Sequence, residues 1–246
     1  MNDGHIFEQK FKIYSYQVDK ETYLTIPSLF CFMQEVAWEH VNLHKAGRDY
    51  LHPLHLFWAL SKVHVQIKRL PKWNEEILVR TWGKKTEFLT HPRDYEFYDS
   101  EGNLLIAATS NWIILDTLEY KPREMPSLDT SLYTCEDRHA IEKRAPKIKK
   151  IDFSQNTYDF HPVLYSDLDM NQHTNNAKYL QWLFDSVDYQ SFSIGNIKEI
   201  IINYLSQAKE GDEYAIFTEE TAPQDKISTF ISRDGEKEYC RIEVRW

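Results

Sequence analysis

Apolar positions along the chain switch between two periods. Leu29, Phe32, Met33, Val36, Ala37, His40 and Val41 recur at helical spacing, with Pro27 near the start and Gly47 beyond the end, which predicts a long half-buried helix. Val63, Val65 and Ile67 alternate with Lys62, His64, Gln66 and Lys68, the pattern of a strand with one wet face. Residues 75–82, 92–99 and 103–116 read as further strands, with Ser100-Glu101-Gly102-Asn103 turning a hairpin. The order then recurs. Ala177, Leu180, Leu183, Phe184 and Val187 form a second helical stripe, followed by strands at 197–205, 213–218, 226–233 and 238–246. Phe97 and Phe230 stand five residues before Gly102 and Gly235, so the two hairpins share one offset of 133. A duplicated unit explains that register better than chance.

Each unit reads as a strand, a long helix and several antiparallel strands, a sheet curling round its own helix. Joining two such sheets edge to edge would remove strand edges and bury both helices. The expected fold class is therefore α+β, with units at 1–137 and 152–246 and a charged linker at 138–151 that carries Pro146.

Ahead of the second helix runs Ser166-Asp167-Leu168-Asp169-Met170-Asn171-Gln172-His173-Thr174-Asn175-Asn176. Asp169, Asn171 and His173 occupy every second position, so an extended segment would aim acid, amide and imidazole at one place, beside the free N–H groups of a helix start. Such a set can position a water and hold an oxyanion. A simple capped turn uses the same residue types. Aligning Met33-Gln34 with Leu180-Gln181 sets Thr25-Ile26-Pro27 against Gln172-His173-Thr174, so the first copy is expected to lack the polar trio and to shape a pocket instead.

Composition narrows the options. Cys31, Cys135 and Cys240 are odd in number and far apart, which reads as reduced thiols in a cytoplasmic protein. Met1-Asn2-Asp3-Gly4-His5 begins no signal peptide, and no apolar run reaches membrane-span length. A formal charge of −9 argues against a nucleic-acid binder. His40, His44, His52, His55 and His64 lack metal-site spacing, so no metal is expected. Residues 143–150 and 68–72 are locally basic and read as a solvated linker and a turn, unless an acidic partner uses them.

The stretch from Asp167 to Tyr179 resembles the catalytic segment of the acyl-acyl carrier protein thioesterases, the plant FatA/FatB-type enzymes and their bacterial relatives. Residues 33–41, 58–62, 69–73 and 93–96 add similar matches in the same order, so the resemblance covers nearly the whole chain. It implies a double hotdog fold and hydrolysis of the thioester joining a fatty acid to acyl carrier protein, without cofactor or metal. By position, the family's catalytic aspartate, asparagine and histidine fall on Asp169, Asn171 and His173. The family's next polar pair, glutamate then cysteine, falls on Gln207 and Ala208. Ala208 excludes a thiol nucleophile there, and Gln207 can orient a group but cannot take a proton. The implied partner is acyl carrier protein with its phosphopantetheine-linked chain. Hydrolysis of acyl-CoA and non-catalytic acyl binding are the rival readings. Because one chain carries both units, a monomer suffices, and a homodimer is left open.

Overall fold

The computed structural model describes residues 5–124, 129–152, 159–186 and 192–246; Met1 to Gly4 and Val187 lie outside these residues. Among the described residues, ten strands form one antiparallel sheet. They are β1 (Phe7–Lys12), β2 (Leu56–Ile67), β3 (Glu76–Gly83), β4 (Thr90–Tyr98), β5 (Leu104–Asp116), β6 (His161–Pro162), β7 (Glu199–Tyr204), β8 (Glu213–Ala222), β9 (Asp225–Ser232) and β10 (Glu238–Arg245). Their order across the sheet is β1-β3-β4-β5-β2-β7-β10-β9-β8-β6. Read from either edge inward, the order is first, third, fourth, fifth and second strand of a unit. The units meet at β2 and β7, where Val63 faces Ile202 and Val65 faces Ile200. The double hotdog is thus two α+β units fused along one seam, and each seam strand hides what would otherwise be an open edge.

Helices α1 (Ile26–Leu43) and α3 (Asn176–Asp185) lie on the inner face and touch each other. The stripe from Leu29 to Val41 is buried, as are Ala177, Leu180 and Leu183. They pack on the inward residues of the strands, including Val63, Val65, Ile200 and Ile202, in one continuous core. Both hairpins keep their register: Gly102 and Gly235 take φ of 85° and 74°, and Phe97 and Phe230 are fully buried. Glycine suits that left-handed position because no Cβ meets the carbonyl.

Two strands are longer than their patterns suggest. The second begins at Leu56 rather than near Val63, because Leu56-Phe57-Trp58-Ala59-Leu60 is apolar and half-buried at every position and so shows no alternation. A short helix, α2 (Arg48–Leu51), lies against this start, with Leu51 packed among Leu56, Trp58 and Ile114. The eighth runs on to Ala222.

The segment 138–151 is not a solvated linker. It runs as a strap over the outer face of the sheet, with Ile141, Ala145, Ile148 and Ile151 buried. Ile148 and Ile151 pack on Ile201, Ile227 and Phe217, the outward residues of their strands, worth about 1.5–3 kcal/mol per buried isoleucine. Polar ties fix it: Trp82 Nε1 donates to the Arg138 carbonyl at 3.0 Å, Asn203 Oδ1 accepts from Ile148 N at 2.9 Å, and Asn203 Nδ2 donates to the Pro146 carbonyl at 2.9 Å. Asp94, fully buried, accepts from Ala140 N at 2.8 Å and pairs with Lys84 at 3.3 Å. Three of the strap's cations are met by carboxylates, Arg138 by Glu96, Arg144 by Glu87 and Lys150 by Glu238.

The duplication is offset by 150 residues ahead of the helices, which corrects the alignment made from sequence. Asp19 Oδ1 accepts from Glu21 N and Tyr23 N, both at 2.9 Å, and Asp169 Oδ1 accepts from Asn171 N at 2.8 Å and His173 N at 3.2 Å. Thr22 and Gln172 both take positive φ, 67° and 63°. Bridges Val18 to Leu24 and Leu168 to Thr174 close the two loops alike. Tyr23 therefore matches His173, and Thr25, the α1 cap, matches Asn175, the α3 cap. The first copy does carry the aspartate; it lacks only the amide and the imidazole, having Glu21 and Tyr23 instead. A slip of three residues is nearly one helical turn, so the apolar stripes alone could not reveal it.

Candidate active site

The run at 169–173 is a closed turn rather than an extended segment. The Asp169 N–H donates to the His173 carbonyl at 2.8 Å and the Gln172 N–H to the Asp169 carbonyl at 3.0 Å. Asp169 thus spends one carboxylate oxygen on two backbone amides, which folds the loop and brings Asn171 and His173 to the same side. Nor does the trio stand on the helix start: α3 begins at Asn176, and the first-turn amide of Ala177 is taken by the Asn175 side chain at 2.9 Å. Asp169, Asn171, His173 and Gln207 nevertheless all line one cavity of about 750 Å³. Its other walls come mainly from the first unit, including Ala37, Trp38 and Val41 of α1 and Phe57 to Ser61 of β2.

Gln207 is held by its neighbour. The Ala208 carbonyl accepts from Thr174 N and Thr174 Oγ1 at 3.1 and 2.9 Å, and Ala208 N donates to Tyr179 Oη at 3.2 Å. The matching place in the first unit, where Leu24 N donates to the Pro71 carbonyl at 2.8 Å, sets the fully buried Leu70 against Gln207. One copy closes this position with an apolar side chain; the other opens it to the cavity.

Two residues at the site escaped the sequence reading. The Tyr120 hydroxyl, from the turn after β5, lies 3.3 Å from His173 Nε2, and Lys209 Nζ donates to that hydroxyl at 3.3 Å. Phe57 and Tyr120 flank the imidazole, ring centroids 5.7 and 5.8 Å away. The first unit thereby contributes directly to the polar centre of the second. Only the position of Lys209, two residues past Gln207, hinted at this in the sequence. Burial lowers the His173 pKa from the usual imidazole value, Asp169 opposes the shift and Lys209 adds to it. A neutral His173 can accept the Tyr120 proton at Nε2, which places its own N–H on Nδ1.

Among the described residues no group of three or more His, Cys, Asp or Glu could hold a metal. His64, on the outer face, instead pairs with Glu199 at 2.6 Å, and His40 Nδ1 accepts from Arg93 at 3.0 Å. Among the described residues no helix is long and apolar enough to cross a membrane.

Two fused hotdog units that share one cavity define the double hotdog proteins as the class. The profile of the acyl-ACP thioesterase N-terminal domain matches residues 4–130, and that of the C-terminal domain matches residues 139–246. The chain belongs to the acyl-ACP thioesterase family, enzymes that hydrolyse the thioester between a fatty acyl group and acyl carrier protein. It is 26% identical to oleoyl-acyl carrier protein thioesterase 2, chloroplastic, of Arabidopsis thaliana over 96% of this chain and 68% of that protein. It is equally 26% identical to the hydrolase FATB2 of Cuphea viscosissima, over 83% of this chain and 52% of that protein. The chain spans between about half and two thirds of the length of the curated relatives it matches. Its fold is that of an acyl-ACP thioesterase from Bacteroides thetaiotaomicron, with TM-score 0.87, 23% identity and coverage of 100% and 99% of the two chains. The 12:0-ACP thioesterase from Umbellularia californica gives TM-score 0.86 at 22% identity, covering 98% and 96%.

Proposed function

We propose that this chain releases free fatty acid from acyl carrier protein by water attack at the centre formed by Asp169, Asn171, His173 and Gln207. The observation that carries the reading is their convergence, on one turn and one strand end, at a cavity large enough for an acyl chain. The second Asp169 oxygen, not used by the turn, takes the proton of the attacking water as its oxygen bonds to the thioester carbon. Asn171 donates to the carbonyl oxygen as it gains charge. His173, steadied by Tyr120, relays the proton that Asp169 took from the water to the sulfur as the C–S bond breaks, so that the imidazole ends neutral and the carboxylate is restored. Gln207 orients the water or His173 by hydrogen bonding and takes no proton.

In this reading the unit at 1–137 shapes the acyl pocket, the unit at 152–246 supplies the chemistry, and the strap at 138–151 joins them. The carrier is acyl carrier protein rather than CoA, docked at the end of the cavity where Lys209 is exposed. Hydrolysis is cytoplasmic, in keeping with three free thiols. One chain suffices, because the β2 to β7 seam already gives the pairing that a lone unit would seek from a second copy.

Free-thiol release on matched acyl-carrier and acyl-CoA panels tests the proposal. Faster release from carrier substrates, with a kcat/KM that falls between low and high salt, is expected from an electrostatic dock. Equal rates on CoA at all salt concentrations would overturn the carrier assignment, and no release from either would overturn the hydrolase.

A further inference from the structure

The cavity has a second polar region, remote from the hydrolytic centre. Arg93 of β4 lines it and is 4% exposed. Its Nη1 donates to His40 Nδ1 at 3.0 Å and to Thr81 Oγ1 at 3.2 Å, and the guanidinium carbon stands 5.8 Å from the Tyr133 ring centroid. Among the described residues no carboxylate pairs with it. The Tyr133 hydroxyl and Arg48 Nε are also buried without a hydrogen-bond partner, and both residues line the same cavity. Gly83 makes room for this arrangement, since a Cβ there would meet the Tyr133 ring at 2.9 Å.

Strand register locates the group. Arg93 faces Ser110, Ser110 faces Val63 and Val63 faces Ile202, so Arg93 sits two strands from β2 on the Val63 row. Phe57, beside His173, lies six residues before Val63 on β2. At strand and residue spacings of about 4.8 and 3.3 Å, the Arg93 backbone is on the order of 20 Å along the sheet from that of Phe57, the span of a long acyl chain.

A buried cation with only neutral partners is costly, and guanidinium does not lose its proton to escape the cost. A plain hydrocarbon reaching this end would leave the remaining guanidinium N–H groups and the Tyr133 hydroxyl without an acceptor or donor. An oxygen at that position would accept from the remaining guanidinium N–H groups and could bond the Tyr133 hydroxyl as well.

Building on the thioesterase reading above, we propose that Arg93, Tyr133 and Arg48 form a subsite for an oxygen carried near the far end of the acyl chain. Substrates bearing a distal hydroxyl or carboxyl group are then preferred over unsubstituted chains of equal length. A carboxylate gains most, because it meets the charge as well as the donors.

Binding of product acids tests this without relying on turnover. Calorimetry would compare unsubstituted, ω-hydroxy and α,ω-dicarboxylic acids from ten to sixteen carbons. Expected is a preference of about 10- to 100-fold for an oxygenated acid at the length that reaches Arg93, lost or reversed in Arg93→Met and reduced several-fold in Tyr133→Phe. A thermal melt accompanies each variant. Should Arg93→Met fail to fold, Tyr133→Phe and Arg48→Met decide, and a preference unchanged in both overturns the proposal. Plain acids binding as tightly as oxygenated ones at every length, or a preference surviving in folded Arg93→Met, would also overturn it. Thiol release measured beside the binding separates the two readings: selective binding without turnover removes the hydrolase and leaves the subsite, whereas turnover without selectivity does the reverse.

Discussion

The twin turns at Asp19 and Asp169 allow the structural and chemical roles of one carboxylate to be measured apart. Each aspartate accepts two backbone N–H bonds through one oxygen. Charged acceptors of this kind are worth about 1–3 kcal/mol in all when the partly exposed amides can turn to water. Asp19→Ala should therefore lower stability by about 2 kcal/mol, which for a chain of this size is a Tm fall of about 4–8 °C, with hydrolysis at moderate temperature nearly unchanged. Asp169→Ala should show a similar fall in Tm and lose turnover. Asp169→Asn keeps an amide oxygen to fold the loop, so most of the stability should remain, while the loss of the general base costs roughly 10²- to 10⁴-fold in kcat. The assays are calorimetric melting and thiol release from acyl carrier protein on all three variants. Turnover by Asp169→Asn within a few-fold of the parent would refute the assignment of the carboxylate. Equal loss of activity in Asp19→Ala and Asp169→Ala would show that the loop geometry alone was being measured.

The remaining expectations follow from single contacts. Because burial and Lys209 hold the His173 pKa below its ordinary value, the acid limb of kcat/KM should lie below about pH 6.5, and Lys209→Met, which removes one lowering charge, should move that limb upward; an unmoved limb would separate Lys209 from the histidine. Tyr120→Phe should cut kcat up to about tenfold through the loss of one hydrogen bond, with the melt unchanged, since the ring is 42% exposed and its packing survives. Lys84→Met leaves the fully buried Asp94 carboxylate without its cation and should destabilise by about 3 kcal/mol, read as a lower urea midpoint at constant slope. Gly83→Ala should cost about 1–3 kcal/mol by pressing on Tyr133, again read by urea titration.

Much of the molecule is legible in the sequence wherever the information is local. The stripe from Leu29 to Val41, the alternation at Val63 to Ile67 and the shared offset of the two hairpins each record which face of an element meets the core, and the elements form as those patterns require. The polar run from Asp167 to Asn176 likewise marks the candidate site, because its residues contact one another within a single loop. What stays hidden depends on contacts between distant parts of the chain. A three-residue slip leaves a helical stripe intact, so the twin of Asp169 at Asp19 emerges only from backbone hydrogen bonds. The charged composition of 138–151 gives no sign that its few isoleucines cap the outer face of the sheet. Tyr120 and His173, 53 residues apart, and Arg93 and His40, also 53 apart, meet because the sheet wraps its helices and brings loop, strand and helix to one cavity. Side-chain periodicity specifies what an element buries; which partner it buries against is decided by closure of the whole sheet, where the energy of each contact depends on geometry that no short window of sequence contains.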